Sequence, residues 1–186
     1  MTNLKKNKLF IISAASGAGK TTIVKELLKK RSNLKVSISH TTRKPRPAEI
    51  NGKDYFFTEV TEFEKMIEEG RFLEYAHCHG NFYGTSKKSV HSLLENGNDV
   101  ILEIDWQGAQ SIKKIFPEAV SIFIMPPSLE VLKKRLIERN QDSIEVIETR
   151  MQSAEEEISH ANEFDYVTIN EDLTHTVNEL MTLFSV

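Results

Sequence analysis

The sequence predicts an α/β fold whose mainly parallel sheet is covered on both faces by helices. Short apolar runs with strand character alternate along the chain with longer segments that are apolar at helical spacing. The first such run passes through a glycine-rich turn straight into a helix. With 186 residues, the chain can build one compact core and falls short of two full-sized domains.

Lys8–Ala14 reads as the first strand, an apolar run ending in small residues. Thr22–Arg31 follows as a helix with Ile23, Val24, Leu27 and Leu28 on one face. Val36–Ser39 alternates apolar and polar, as a strand does. From 40 to 95 the character changes: Pro45, Pro47 and Asn51-Gly52 mark turns, with short strands at Tyr55–Phe57 and Phe72–Ala76. One helix opens at Thr61, where Glu64 three residues on gives a capping-box pattern. Another spans about Ser86–Asn96 and stops at Gly97. Val100–Ile104 and Val120–Met125 return to strand character. Pro126-Pro127-Ser128 closes the second of these, with Ser128 as N-cap of a helix reaching about Arg139. Asn140–Ser143 is a polar break before a further long helix. Tyr166–Ile169 is the last strand, and the terminal helix carries Leu173, Val177, Leu180 and Leu183 at helical spacing.

Composition narrows the function classes. Apolar residues make up 39% and charged residues 27%, the ordinary soluble range. A net charge of -3 argues against a nucleic-acid partner, which selects for a basic excess. The first apolar run is too short for a signal peptide, and no stretch approaches the length of a membrane span. The one cysteine, Cys78, forms no intramolecular disulfide and fits a reducing cytoplasm. His77, Cys78 and His79 lack the three or four convergent ligands of a zinc site, so a core thiol between two histidines is the better reading.

Ala14-Ala15-Ser16-Gly17-Ala18-Gly19-Lys20-Thr21 follows a strand and opens a helix, the context in which G-x-x-x-x-G-K-[ST] means a P-loop. Successive backbone N–H groups there face phosphate oxygens, and the helix N-terminus adds partial positive charge. Gly17 and Gly19 leave room for close approach, Lys20 neutralises β/γ-phosphates, and Thr21 helps hold Mg²⁺ directly or through water. Ala14 stands where the pattern asks for glycine, which is tolerable while φ stays negative. An ATP-type triphosphate site is expected, with Thr22 at its margin.

Two arginines flank a proline-stiffened loop in Ser39-His40-Thr41-Thr42-Arg43-Lys44-Pro45-Arg46-Pro47, a device suited to a phosphate monoester dianion. Asn51-Gly52-Lys53-Asp54-Tyr55-Phe56-Phe57 and Gly80-Asn81-Phe82-Tyr83-Gly84-Thr85 follow. In this order and spacing the segments resemble the guanylate kinases, and the resemblance runs from about Leu9 to the final helix. It implies a P-loop kinase core with a five-stranded parallel sheet flanked by helices, a small GMP-binding domain and a short lid. The core would take 1–38 and 97–186, the GMP-binding part about 39–96, and the lid about 136–150. The activity implied is transfer of the γ-phosphoryl group of ATP to GMP, with dGMP as a further acceptor, in purine nucleotide metabolism.

The same resemblance places Arg43, Arg46, Tyr55 and Tyr83 on the GMP phosphate. Guanine offers N1–H and N2–H₂ as adjacent donors and O6 as acceptor, so a carboxylate and a hydroxyl can read it. By resemblance Glu74 is that carboxylate and Ser39 that hydroxyl, while Thr85 and Asp105 match further guanine-contacting positions. Asp105, at the carboxyl end of its strand, could contact the base or order Mg²⁺-bound water. Transfer to an ionised phosphate needs no base, so catalysis reduces to positioning and positive charge. Lys20, Arg43, Arg135, Arg139 and Arg150 match the charges the family brings to the reaction. Arg135 and Arg139 share one helical face. The turn after Arg139 has Asn140 where the family usually has glycine. Asn170 resembles the adenine-side residue. Two other functions use parts of the same pattern. A P-loop kinase for a ribose phosphate would not need Ser39, Glu74 and Thr85 together. A non-enzymatic binding module would typically lose Lys20 and the arginines. Implied partners are ATP, GMP and Mg²⁺, with no nucleic acid and no membrane, and the family resemblance is compatible with a homo-oligomer.

Overall fold

The computed structural model describes residues 7–78, 80–138 and 144–185. These residues form nine strands and seven α-helices. A five-stranded parallel sheet has the order β2-β7-β1-β8-β9, built from Leu34–Ser37, Asp99–Glu103, Leu9–Ala14, Val120–Met125 and Tyr166–Ile169. A smaller sheet runs β4-β3-β6-β5, from Phe56–Phe57, His40–Thr41, Asn81–Ser86 and Phe72–Cys78. The chain divides into two compact units, one of residues up to Ile11 with Asn33–Val120, the other of Ile12–Ser32 with Ser121 onward.

In the first unit, β2 and β7 pair parallel from Leu34↔Asp99 to Ser37↔Leu102. The small sheet is mixed: β3 runs parallel to β4 and antiparallel to β6, and β6 antiparallel to β5. Helix α2 (Val60–Glu68) closes it with Phe63, stacked 4.5 Å from Phe72 and 5.4 Å from Phe82. Gly84 of β6 makes this stack possible, because a Cβ there would lie 2.9 Å from both Phe63 and Phe72. Helices α3 (Lys87–Glu95) and α4 (Trp106–Ile115) bury Val90, Ala109 and Ile112.

In the second unit, helix α1 (Lys20–Lys30) buries Ile23, Val24 and Leu27. The terminal helix α7 (Leu173–Ser185) buries Val177, Leu180 and Phe184, and Arg31 donates to the Phe184 carbonyl. Helices α5 (Leu129–Glu138) and α6 (Ile144–Ser159) place Leu132 and Ala154 against Ala15 and Ala18. Asp165 accepts from both N–H and hydroxyl of Ser121 at 2.8 Å, fastening the entry to β9.

Several expectations are corrected. The strand expected at 36–39 is Leu34–Ser37, so Ser39 lies beyond it. Helix α1 starts two residues earlier than expected, at Lys20. The capping box at Thr61 does not form: α2 begins at Val60 after an extended Glu59, with no side-chain cap. Ser128 does cap α5, accepting from Val131 N–H at 3.2 Å. Strands β3 and β6 and helix α4 add to the elements expected. The expected break at 140–143 lies outside the described residues.

Candidate active site

The phosphate loop belongs to the second unit. Ala14 is the last residue of β1, so its backbone is extended and needs no glycine. Gly17 and Gly19 have φ of +98° and +101°, in the left-handed region that side chains avoid. A Cβ on Gly19 would also lie 2.5 Å from Asn170 Nδ2. Gly19 is the N-cap of α1 and carries no side chain to satisfy the helix's first N–H groups, which leaves them for an anion. Ala18 N–H closes a turn on Ala15 O at 2.9 Å, while Ser16 N–H donates to Glu157 Oε2 at 2.9 Å.

Lys20 is half-buried, and its ammonium makes no hydrogen bond or ion pair among the described residues. A cation held in the fold without a counter-ion is poised for an external anion. Thr21 and Thr22 are exposed, and the Thr21 hydroxyl is likewise without a protein partner among the described residues. Arg135 donates to Ala18 O at 3.3 Å and Asn170 O at 3.0 Å. Asn170 is buried; its amide donates to Ala18 O at 2.7 Å and accepts from Thr176 at 3.4 Å. A cleft of about 490 Å³ is lined by Gly17, Gly19, Thr22, Arg135, Asn170 and Asp172 among others. Arg150 lies half-buried on α6, and Arg139 falls outside the described residues. No group of three or more His, Cys, Asp or Glu converges as a metal site among the described residues.

The first unit assembles a second set of candidates. Arg43 donates to Glu49 Oε1 at 2.7 Å and Lys44 O at 2.8 Å, and its guanidinium lies 5.4 Å from the Tyr55 ring centre. Tyr55 meets Tyr83 edge-on at 6.0 Å. Glu49 Oε2 accepts from Arg46 N–H at 2.7 Å, and the Arg46 side chain stands 3.8 Å from Oε1. The loop between β3 and β4 thus gathers Arg43, Arg46 and Tyr55 beside Tyr83 of β6, with Glu49 as a member that the sequence did not flag. Burial works to raise the Glu49 pKa, but the hydrogen bonds and charges of Arg43 and Arg46 outweigh it and hold the carboxyl below its ordinary value. Burial likewise opposes the Arg43 charge, and Glu49 and Tyr83 more than restore it. Burial, then the Glu103 charge, push the Tyr55 hydroxyl up to about 12, so it remains a donor.

Glu74 and Thr85 face each other across β5 and β6. Thr85 Oγ1 donates to Glu74 Oε1, and both residues are buried. A Cβ on Gly108 would lie 2.8 Å from Glu74 Oε2, so glycine at that turn of α4 gives the carboxylate its place. Ser39 is buried at 8% exposure, and its hydroxyl is without a protein partner among the described residues. Asp105 is the N-cap of α4, with Oδ1 accepting from Gly108 N–H at 2.8 Å. The cap signal is Asp105 itself, because the backbone N–H it takes is one that any non-proline residue would offer. Glu157 had none, since its partner Ser16 lies 141 residues away.

The comparisons with known proteins agree on one family. The guanylate kinase family model matches residues 6–186. A guanylate kinase of Hahella chejuensis is 55% identical over 97% of this chain and 87% of its own length. One from Dechloromonas aromatica is 52% identical over 92% of this chain and 85% of its own. Among solved structures, the guanylate kinase of Anaplasma phagocytophilum superposes with a TM-score of 0.81 at 34% identity, covering 96% of this chain and 85% of that one. A shikimate kinase from Bacteroides thetaiotaomicron, at 15% identity and a TM-score of 0.54, shares the fold alone. The family match, the relatives and the phosphate loop lead to one conclusion: the chain belongs to the guanylate kinase family.

Proposed function

We infer that the chain transfers the γ-phosphoryl group of ATP to GMP, giving ADP and GDP, and uses dGMP as well. The observation that carries the acceptor's identity is the buried Glu74–Thr85 pair. A carboxylate oriented by Thr85 accepts the adjacent N1–H and N2–H₂ of guanine. Adenine would set an unprotonated N1 against it, a mismatch that such sites reject by roughly four orders of magnitude. Ser39 donates to O6, and Asp105 keeps one oxygen for the base or for water held by the metal.

Arg43 and Arg46 grip the GMP phosphate with Tyr55 and Tyr83. On the donor side, the phosphate loop from Ala15 to Thr21 takes the ATP phosphates through the Lys20 ammonium and those backbone N–H groups that the fold leaves unpaired, which exclude Ser16 and Ala18, with Ala14 and Thr22 at the margins of that cradle. Arg135, Arg139 and Arg150 supply further charge, and Asn170 lines the adenosine side. An ionised GMP oxygen attacks the γ-phosphorus as the bond to the β-phosphate oxygen breaks. No proton has to be removed, so these cations act by positioning and by balancing the spreading charge.

Mg²⁺ fits the donor set: an exposed Thr21 hydroxyl, without a carboxylate cage among the described residues, suits a small cation that keeps waters and phosphate oxygens as ligands. Thr21 would hold the ion, which would supply positive charge to the ATP phosphates. We assign the phosphate-binding core to 1–38 and 97–186, the GMP-binding part to about 39–96, the lid to about 136–150, and the enzyme to the cytoplasm.

The test is ADP formation with ATP, Mg²⁺ and one nucleoside monophosphate at a time. Turnover with GMP, and with dGMP behind it, is the expected result; turnover with AMP instead overturns the acceptor assignment.

A further inference from the structure

Two side chains of the phosphate-loop surroundings hold a carbonyl: Arg135 and Asn170 both donate to Ala18 O. One contact has the opposite sense. The Ser16 N–H, at the crest of the loop, donates to the Glu157 carboxylate at 2.9 Å. That peptide is committed to a protein acceptor and is unavailable to phosphate.

Glu157 does not reach the loop from a loosely held helix. Met151, Ala154 and Ile158 form one face of α6, and that face packs on Ala15, Ala18 and Leu132. Arg150 lies seven residues before Glu157, two turns along the same side of α6. One helix therefore carries both a tie to the phosphate loop and a guanidinium assigned to the transferred group.

Charge makes the arrangement informative. A carboxylate beside a loop that receives a polyanion opposes binding by simple Coulomb repulsion. Its compensating gain is geometric, because a charged acceptor holds an N–H about twice as strongly as a neutral one. We propose that Glu157 is a positioning residue for ATP: it fixes the Ser16 peptide, hence the crest of the phosphate loop, and locks α6 with Arg150 to that crest. The proposal rests on the ATP-to-GMP reading above and adds a residue to it.

Steady-state kinetics with each substrate varied, ATP affinity by calorimetry and thermal melting of Glu157→Ala and Glu157→Gln test it. Glu157→Ala is expected to raise both KM and Kd for ATP about ten-fold or more. The KM for GMP stays within about two-fold. Glu157→Gln keeps an oxygen that accepts from Ser16 and is expected to restore ATP affinity to within about three-fold of wild type. Wild-type ATP affinity in Glu157→Ala, an equal rise in both KM values, or failure of Gln to restore binding overturns the proposal. If Glu157→Ala does not fold, Glu157→Asp decides. Its shorter side chain must weaken ATP alone, and unchanged ATP affinity refutes the role. A wild-type protein without GMP turnover would sink the activity assignment, while its ATP affinities still judge Glu157.

Discussion

Thr85 Oγ1 donates to Glu74 Oε1 across 2.5 Å, and neither side chain reaches solvent appreciably. The hydroxyl fixes the carboxylate's plane, so a purine edge meets an acceptor already oriented. Glu74→Ala is expected to lower kcat/KM for GMP by roughly three to four orders of magnitude. Thr85→Val, which leaves the carboxylate but not its orientation, costs about ten-fold. Both variants should keep the KM for ATP, and steady-state kinetics in GMP and ATP separately checks the split.

Glu49 stands between the two arginines assigned to the acceptor phosphate. It neutralises part of their charge, yet it also holds Arg43 to one geometry. Glu49→Ala is expected to raise the KM for GMP about ten-fold through loss of that order, with the KM for ATP unchanged. The pH dependence has a defined sign. The folded carboxyl titrates below its ordinary value of 4.5, so its stabilisation is fully present above that value and is lost as pH falls through the lower, folded value. Melting temperatures of wild type and Glu49→Gln should therefore converge on acidification below about 4.5 and diverge above it.

Gly19 is constrained twice, by φ of +101° and by Asn170 Nδ2 lying 2.5 Å from any Cβ. Gly19→Ala must strain the backbone and push the Asn170 amide off Ala18 O. The expected cost is about 1–3 kcal/mol in stability, read by denaturant unfolding, together with a marked rise in the KM for ATP. An alanine variant with unchanged unfolding and unchanged ATP affinity would contradict the geometry.

How far the sequence revealed these features depended on how local their causes are. The strand at Asp99–Glu103 and the helix at Leu173–Ser185 follow from apolar runs and spacing visible in a dozen residues. Strand β6 escaped because Gly84 breaks the pattern, and its reason is the distant ring pair Phe63 and Phe72. Thr61 carried a capping signal, but the chain enters α2 one residue before it, through Glu59. The glycine-rich loop was legible because its function requires fixed spacing in one segment. Glu49 and Glu157 were not, since a carboxylate's hydrogen-bond partner is set by the packed fold. Asp105 lay between these cases: an aspartate is a preferred N-cap, but helix α4 behind it was not expected, so only the structure shows the cap.

Lys20 separates stability from activity most cleanly. Its ammonium is half-buried and has no partner within the described residues, so the folded protein gains nothing from its charge. Burial without a counter-ion costs free energy, and removing the charge relieves that cost. Lys20→Met, close in length and apolar, is expected to melt at or above the wild-type temperature. Without that cation on the ATP phosphates, kcat should fall by about two to three orders of magnitude, comparable to the loss of one transition-state charge contact elsewhere. Melting curves and kcat on the same preparation give the comparison. A destabilised Lys20→Met with ordinary turnover would mean that the lysine serves the fold, and the phosphate loop would then need another source of positive charge.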